Sequence, residues 1–263
     1  ILAEEGTRES FHEVAVEKGI WDRNFHIGFI NENEAFGYLV TQEKSLSVQK
    51  INLAEERFIW SNQFSLDIEL EDEFENFRLK QDLGNIMDRV VLKTQAPIFA
   101  ADASIYLVGD TYTVLNASET EDRSFSGDII AIKISAAGEL DWQKTIKKGQ
   151  KLTAIYTRTK AANLSFSAFL SPEQNLTFIY NDCARNYQSP NKYKLGYMYT
   201  STKSDAVSMC QLNPTGNVQY RMLYDFRTRP FDWAPSSVFE LAEGQYIIYA
   251  FSRKKICVGR LSW

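Results

Sequence analysis

Gly127-Asp128-Ile129-Ile130-Ala131-Ile132-Lys133-Ile134-Ser135, followed by Gly138-Glu139-Leu140-Asp141-Trp142, is the stretch that decides the fold. Ile130, Ile132 and Ile134 fall on one side of an extended chain, with Ala131, Lys133 and Ser135 on the other. Leu140 and Trp142 continue the alternation on the way back. A period of two is the signature of a strand, and two such runs joined by a short polar link read as a hairpin. Gly138 stands just before the returning strand, where a residue free to take positive φ permits a tight turn.

The same phrase occurs twice more. One copy is Ser47-Val48-Gln49-Lys50-Ile51-Asn52 followed by Phe58-Ile59-Trp60; the other is Val207-Ser208-Met209-Cys210-Gln211-Leu212-Asn213 followed by Val218-Gln219-Tyr220. Gly216 repeats the role of Gly138, whereas the first copy has Glu56 or Arg57 there. Trp60, Trp142 and Tyr220 set a large aromatic at an equivalent place, a natural packing contact between neighbouring sheets. Further strands are expected upstream of each copy: Ala35 to Thr41; Ile98 to Ala101 with Ser104 to Thr113; Phe166 to Leu170 with Leu176 to Tyr180. A last, shorter unit reads Ser237 to Leu241, a turn at Glu243-Gly244, Gln245 to Phe251 and Lys255 to Leu261.

Four short, locally paired strands per unit describe the blade of a β-propeller. The chain is therefore read as all-β, a single propeller domain spanning 1–263, complete or the C-terminal part of a longer chain. Lys50 to Lys133 is 83 positions and Lys133 to Gln211 is 78, long for a blade of about 40–50 residues. Insertions or further blades fill the difference, and the reading is about five blades, within a range of four to seven. Asp67 to Asn85 reads as an inserted loop or short helix, and Asn181 to Tyr193 as a long excursion. A ring left open exposes two sheet edges. The N-terminal run Phe11 to Trp21, with Val14-Ala15-Val16, is a candidate outer strand for the unit containing Lys255 to Leu261, closing the ring with N- and C-terminal strands.

With 263 residues, 44% of them hydrophobic, and 17 Phe, 13 Tyr and 5 Trp, the chain has ample material for a packed β core. A formal charge of -5 with scattered Lys and Arg is a poor match to a phosphate backbone, so nucleic acid is not an expected partner. No run approaches the roughly 20 apolar residues of a membrane-spanning helix, so membrane insertion is not expected. The first residue is Ile1 rather than Met, as removal of a leader would leave it. Cys183, Cys210 and Cys257 lie far apart, without the spacing of a zinc site or the even count of a disulfide framework. They read as small buried residues on strands, with one disulfide and one free thiol as the alternative.

Gly127 to Ile134 with Gly138 to Lys144, and the closing stretch Ile247-Ile248-Tyr249-Ala250 to Val258-Gly259-Arg260-Leu261, resemble the repeat of uncharacterised exported propeller proteins of the Bacteroidota cell envelope. The resemblance covers Ile98 to Leu261 and implies export to the periplasm or cell surface. It implies no catalytic residues, because these motifs encode strands and turns.

Signatures of chemistry are sparse. The two histidines, His12 and His26, have no ligand spacing, and no P-loop, GxGxxG, GxSxG or HExxH string occurs. No catalytic residue, metal ligand or cofactor is assigned. Asp102, Asp110, Asp128 and Asp182 lie at expected strand ends, where a pair of carboxylates could flank a glycosidic bond and where an Asx turn is the plainer role. Glu119-Thr120-Glu121-Asp122 lacks the Gly and spacing of a calcium loop and reads as a solvated turn. Three sequons, at Asn116, Asn163 and Asn175, carry no weight in themselves.

Two aromatic and basic loops are the candidate binding surfaces. One is Tyr180 to Tyr199, with Arg185, Tyr187 and Tyr193; the other is Phe226 to Trp233, with Arg227, Arg229, Phe231 and Trp233. Tyr, Trp and Arg anchor interfaces, and loops on rigid scaffolds are where recognition sits. The expected function is a non-enzymatic protein–protein interaction module, a soluble subunit of an outer-membrane or cell-surface assembly. The alternative is a propeller that binds or cleaves glycans with acids in its funnel.

Overall fold

The computed structural model describes residues 25–40, 45–67, 91–118, 121–148, 150–154, 166–183, 198–199, 205–225, 232–242, 244–252 and 255–262. Every regular element among them is a strand, and none contains a helix long and apolar enough to cross a membrane. The chain divides into two compact units, 1–66 and 67–263. The N-terminal run 11–21 and the inserted segment 68–85 lie outside the described residues.

In the first unit, β1 (Phe25–Asn31), β2 (Glu34–Val40), β3 (Ser45–Asn52) and β4 (Arg57–Ser65) form one antiparallel sheet in chain order. The sequence reading had not placed β1. Phe36, Tyr38, Leu46 and Val48 are buried on one face, where Tyr38 pairs in register with Val48 and Val40 with Leu46.

The second unit holds three sheets. β5 (Val91–Thr94), β6 (Ile98–Phe99), β7 (Ile105–Ser118), β8 (Glu121–Ile134), β9 (Leu140–Ile146), β10 (Gln150–Ala154) and β13 (Met198–Tyr199) make the first. Within it, β6 pairs with the start of β7 and β9 with the end of β8, which is the expected four-stranded blade. The hairpin β7–β8 then runs on: β5 flanks the extension through Thr94–Gly109 to Val91–Tyr112, and β10 flanks it through Gln150–Ser126 to Ala154–Asp122. Strand β13 adds in parallel to β10. This seven-stranded sheet differs from the blade expected from sequence, because Thr113 does not end β7 and the pairing continues to Ser118–Glu121.

β11 (Phe166–Leu170), β12 (Leu176–Cys183), β14 (Asp205–Leu212) and β15 (Val218–Asp225) form the second sheet in that order. Strand β12 continues past Tyr180, since Asn181 pairs with Val207 and Cys183 with Asp205. Asn181 to Cys183 therefore belong to the strand and not to an excursion. The last sheet is β16 (Asp232–Ala242), β17 (Gln245–Ser252) and β18 (Lys255–Ser262). Apart from the two-residue β13, the four sheets succeed one another along the chain and are built from locally connected antiparallel strands, the blade pattern of a β-propeller.

One turn recurs. In Ala100–Ser104, Ser135–Glu139, Ser171–Asn175 and Asn213–Asn217 the first residue's N–H donates to the fifth carbonyl at 2.8–3.1 Å, and the fourth N–H donates to the first carbonyl at 2.8–3.0 Å. The fourth residue takes positive φ each time: Ala103 62°, Gly138 87°, Gln174 61° and Gly216 80°. These are three-residue hairpin loops, a type I turn closed by a left-handed residue. Glu56 meets the same demand in the first unit, at φ 51°.

Apolar faces then stack in pairs. Tyr106, Val108, Ile129, Ala131 and Ile146 of the seven-stranded sheet pack on Phe166, Phe178, Tyr180, Cys210 and Leu212 of the next. The opposite face of that second sheet offers Ile179 and Val207 to Ile248 of the last, and Tyr246 stacks on Phe169 with ring centroids 4.1 Å apart. Cys183 and Cys210 are buried on β12 and β14 and form no disulfide, as expected of small strand residues.

Candidate functional site

Of the sequence-derived binding candidates, Arg185, Tyr187, Tyr193, Arg227, Arg229 and Phe231 lie outside the described residues. Trp233 corrects an expectation: it sits on β16, opposite Ala250 of β17, so it belongs to a strand rather than a loop. The alternation that carries β16 back to Asp232 is masked in the sequence by Pro235 and by a register shift between Ala234 and Val238.

The four aspartates do not converge. Asp102 lies in the turn before β7, where the Ser104 hydroxyl and amide donate to it. Those hydrogen bonds, with the attraction of Lys133 behind them, hold its carboxyl below the usual carboxylate range. Asp110 and Asp128, at the other end of that blade, and Asp182, on β12 of the next sheet, are each almost fully buried. Asp182 accepts the amide of the adjacent Cys183 at 2.8 Å; the Asx turn is made by Asp102, which accepts the amide two residues on.

Asp110 and Asp128 belong to a polar knot between two apolar sheets. Lys148, in the link between β9 and β10, has no solvent-exposed side-chain surface and meets Asp110 Oδ2 at 2.9 Å. Its ammonium also donates to Ser126 Oγ at 2.6 Å and Gln150 Oε1 at 3.4 Å, and lies 5.5 Å from the centre of the Phe166 ring. Ser126 in turn donates to Asp110. The Lys148 amide donates to Asp128 Oδ1 at 2.9 Å, while Asp128 Oδ2 pairs with Lys147 at 2.6 Å. Gln150 then ties this sheet to the next, donating to the Asn181 carbonyl at 2.6 Å.

A serine beside a lysine invites a hydrolytic reading. The geometry argues against it, because Ser126, Asp110 and Lys148 are all buried and the hydroxyl proton is committed to Asp110. A buried ion pair of this kind fixes an arrangement more than it adds net stability. It fastens the emerging β7–β8 extension to the blade below and to the next sheet. Sequence reasoning picked out both aspartates but missed Lys148, since nothing local distinguishes it from Lys147, which is half exposed.

The last sheet is different in kind. Its inner face carries the buried Tyr246 and Ile248, but the outer face exposes Phe239, Leu241, Ile256 and Val258 at 57, 59, 70 and 60%. Tyr249 pairs in register with Val258 and Phe239 with Ile247, and the Phe239 and Tyr249 rings meet edge to face at 5.9 Å. Large apolar side chains gathered on one face mark interaction sites. Among the described residues, no group of three or more His, Cys, Asp or Glu is placed to hold a metal ion.

No protein-family model matches the sequence, and no curated protein does. Among solved structures, the polysaccharide lyase Uly1 aligns over 90% of this chain at 10% identity with a TM-score of 0.29. The chain spans 57% of that lyase's length. The β-propeller domain of the Trilobed protease from Pyrococcus furiosus, described as having an open velcro topology, aligns over 90% of this chain and 82% of its own, at 5% identity and a TM-score of 0.23. The acylaminoacyl peptidase of Pyrococcus horikoshii aligns over 90% of this chain and 44% of its own, at 8% identity and a TM-score of 0.22. Likeness at these scores carries no argument; the blade pattern is in the chain's own strand order.

Proposed function

We propose that this chain is a non-enzymatic interaction module of propeller-blade sheets that docks a protein partner, as a soluble subunit of an exported cell-surface or outer-membrane assembly. The observation that carries the reading is the outer face of the last sheet. Phe239, Leu241, Ile256 and Val258 together keep in water an apolar surface, each being 57–70% exposed, whose burial favours association by about 1–2 kcal/mol for each side chain. The polar knot supports the same reading from the other side, since its groups are occupied with one another and closed to substrate. The glycan-cleaving alternative finds no support in the carboxylates: Asp102 stands apart, and Asp110 is bound to Lys148 and Ser126.

The test places a photo-crosslinking amino acid at Phe239 or Val258, and in a control at Gln63 of the first unit, in cells of the native host. One stoichiometric partner captured from the last sheet and absent from the control is the expected result. Recovery of the protein uncrosslinked from every position overturns the proposal.

A further inference from the structure

Sheets β1–β4 and β11–β15 each have four strands, while the last sheet has three and ends at β18. β18 pairs with β17 over eight residues, from Gln245–Ser262 to Ser252–Lys255, without a bulge. Its other edge has no neighbour among the described strands. A long, regular, apolar edge is a template for one more strand. The opposite edge, β16, is unsuited to that role, because it contains Pro235 and two register shifts.

Building on the docking role proposed above, we infer that β18 is the acceptor for an extended acidic segment of the partner, which adds as a fourth strand and sets an aromatic residue opposite Arg260. Two independent features define that segment. The first is charge. Arg253-Lys254-Lys255 precede and open β18 and Arg260 lies near its end, with no acid from 253 to 262. Antiparallel pairing of two copies of β18 would bring like charges together, which disfavours a second copy, whereas an acidic strand complements them.

The second is register. Lys50-Ile51-Asn52, Lys133-Ile134-Ser135 and Arg260-Leu261-Ser262 are equivalent in the repeat. Three sheets have the outer strand, and in the two that carry a cation at this position it lies opposite an aromatic: Lys50 pairs with Trp60 and Lys133 with Trp142, whereas in the third the uncharged Gln211 lies opposite Gln219. Arg260 is exposed and holds Gln245 at 2.6 Å, so the equivalent aromatic would come from the incoming strand and cover its guanidinium. Main-chain hydrogen bonds would supply affinity, and the alternating side chains against Ile256 and Val258 specificity.

Hydrogen exchange on the whole chain tests this. The probe is a blocked nine-residue peptide of alternating Val and Glu with one central Trp; the controls replace Glu by Lys, or Trp by Ala. In the chain alone, the β18 amides that face away from β17 should exchange without protection. The acidic Trp peptide should slow them about tenfold or more while leaving β16–β17 protection unchanged. Arg260→Glu should weaken that peptide about tenfold, and the basic peptide should not protect. Amides of 255–262 already protected in the chain alone, whether by another part of the chain or by a second copy, would overturn the inference, as would equal protection by acidic and basic peptides. Crosslinking of a partner through Phe239 with no effect of the acidic peptide on β18 would leave the docking role standing and remove strand addition.

Discussion

Replacing Lys148 by Met is the sharpest probe of the polar knot. The substitution keeps an apolar stem of similar length but removes the ammonium 2.9 Å from Asp110, 2.6 Å from Ser126 and 5.5 Å from the centre of the Phe166 ring. Asp110 is then left almost fully buried, with the Ser126 hydroxyl still donating to it. Removing one partner of a buried pair costs about 3–5 kcal/mol, a large share of the roughly 10 kcal/mol that holds a domain of this size. In urea denaturation the midpoint should fall with the slope unchanged, and the melting temperature should drop by about 10 °C. The double variant Asp110→Asn/Lys148→Met, which removes both charges, should cost at least about 2 kcal/mol less than the two single losses added together. Single variants that each cost under about 1 kcal/mol, or losses that simply add, would refute the claim that these two residues form one buried unit.

Turn strain, tyrosine ionisation and acid response offer further checks. Glu56→Gly should stabilise the first unit by about 0.5–1 kcal/mol in chemical denaturation: the left-handed φ of Glu56 costs an L side chain about 1–2 kcal/mol, of which the greater backbone entropy lost by glycine takes back about 0.5–1 kcal/mol. Gly216→Ala should destabilise by about 1–2 kcal/mol, its new Cβ arriving 3.0 Å from Lys144 and 3.2 Å from Trp142 as well as taking a positive φ; no change in midpoint would contradict the turn geometry. Burial pushes the hydroxyls of Tyr106 and Tyr246 above the ordinary tyrosine value, with Glu240 and Glu173 adding to the rise at Tyr246. A raised folded pKa gives stability that is whole below pH about 10 and is lost as pH climbs through the elevated folded value. Ultraviolet titration should therefore show late-ionising tyrosines whose ionisation coincides with unfolding, and Tyr106→Phe should remove one of them. The opposite sign holds for Asp102, whose lowered pKa gives stability present above the usual carboxylate value and lost as pH falls through the lowered one; Asp102→Asn should flatten that acid limb in a melting-temperature profile.

Alternation of apolar and polar residues is written locally, so β3, β8 and β14 with their returning partners were legible, as were the turn glycines Gly138 and Gly216; the register that sets Lys50 opposite Trp60 and Lys133 opposite Trp142 was not. Ala103 and Gln174 show the limit even there: both take the left-handed position of the recurring turn with no glycine to announce it. The extension of β7 and β8, the flanking of that extension by β5 and β10, and the passage of Trp233 from loop to strand depend on which segment pairs with which, and pairing partners far apart in sequence leave no local period. Burial is less local still. Lys147 and Lys148 are adjacent and chemically identical, yet one is half exposed and the other is enclosed by Asp110, Ser126 and Gln150. The same is true of the last sheet, where Ile248 and Ile256 have equal hydrophobicity and opposite environments. The sequence by itself determined that this chain forms strands in repeated hairpins; only the tertiary structure decided which faces meet, because an apolar side chain acquires its meaning from the surface, protein or water, that lies across from it.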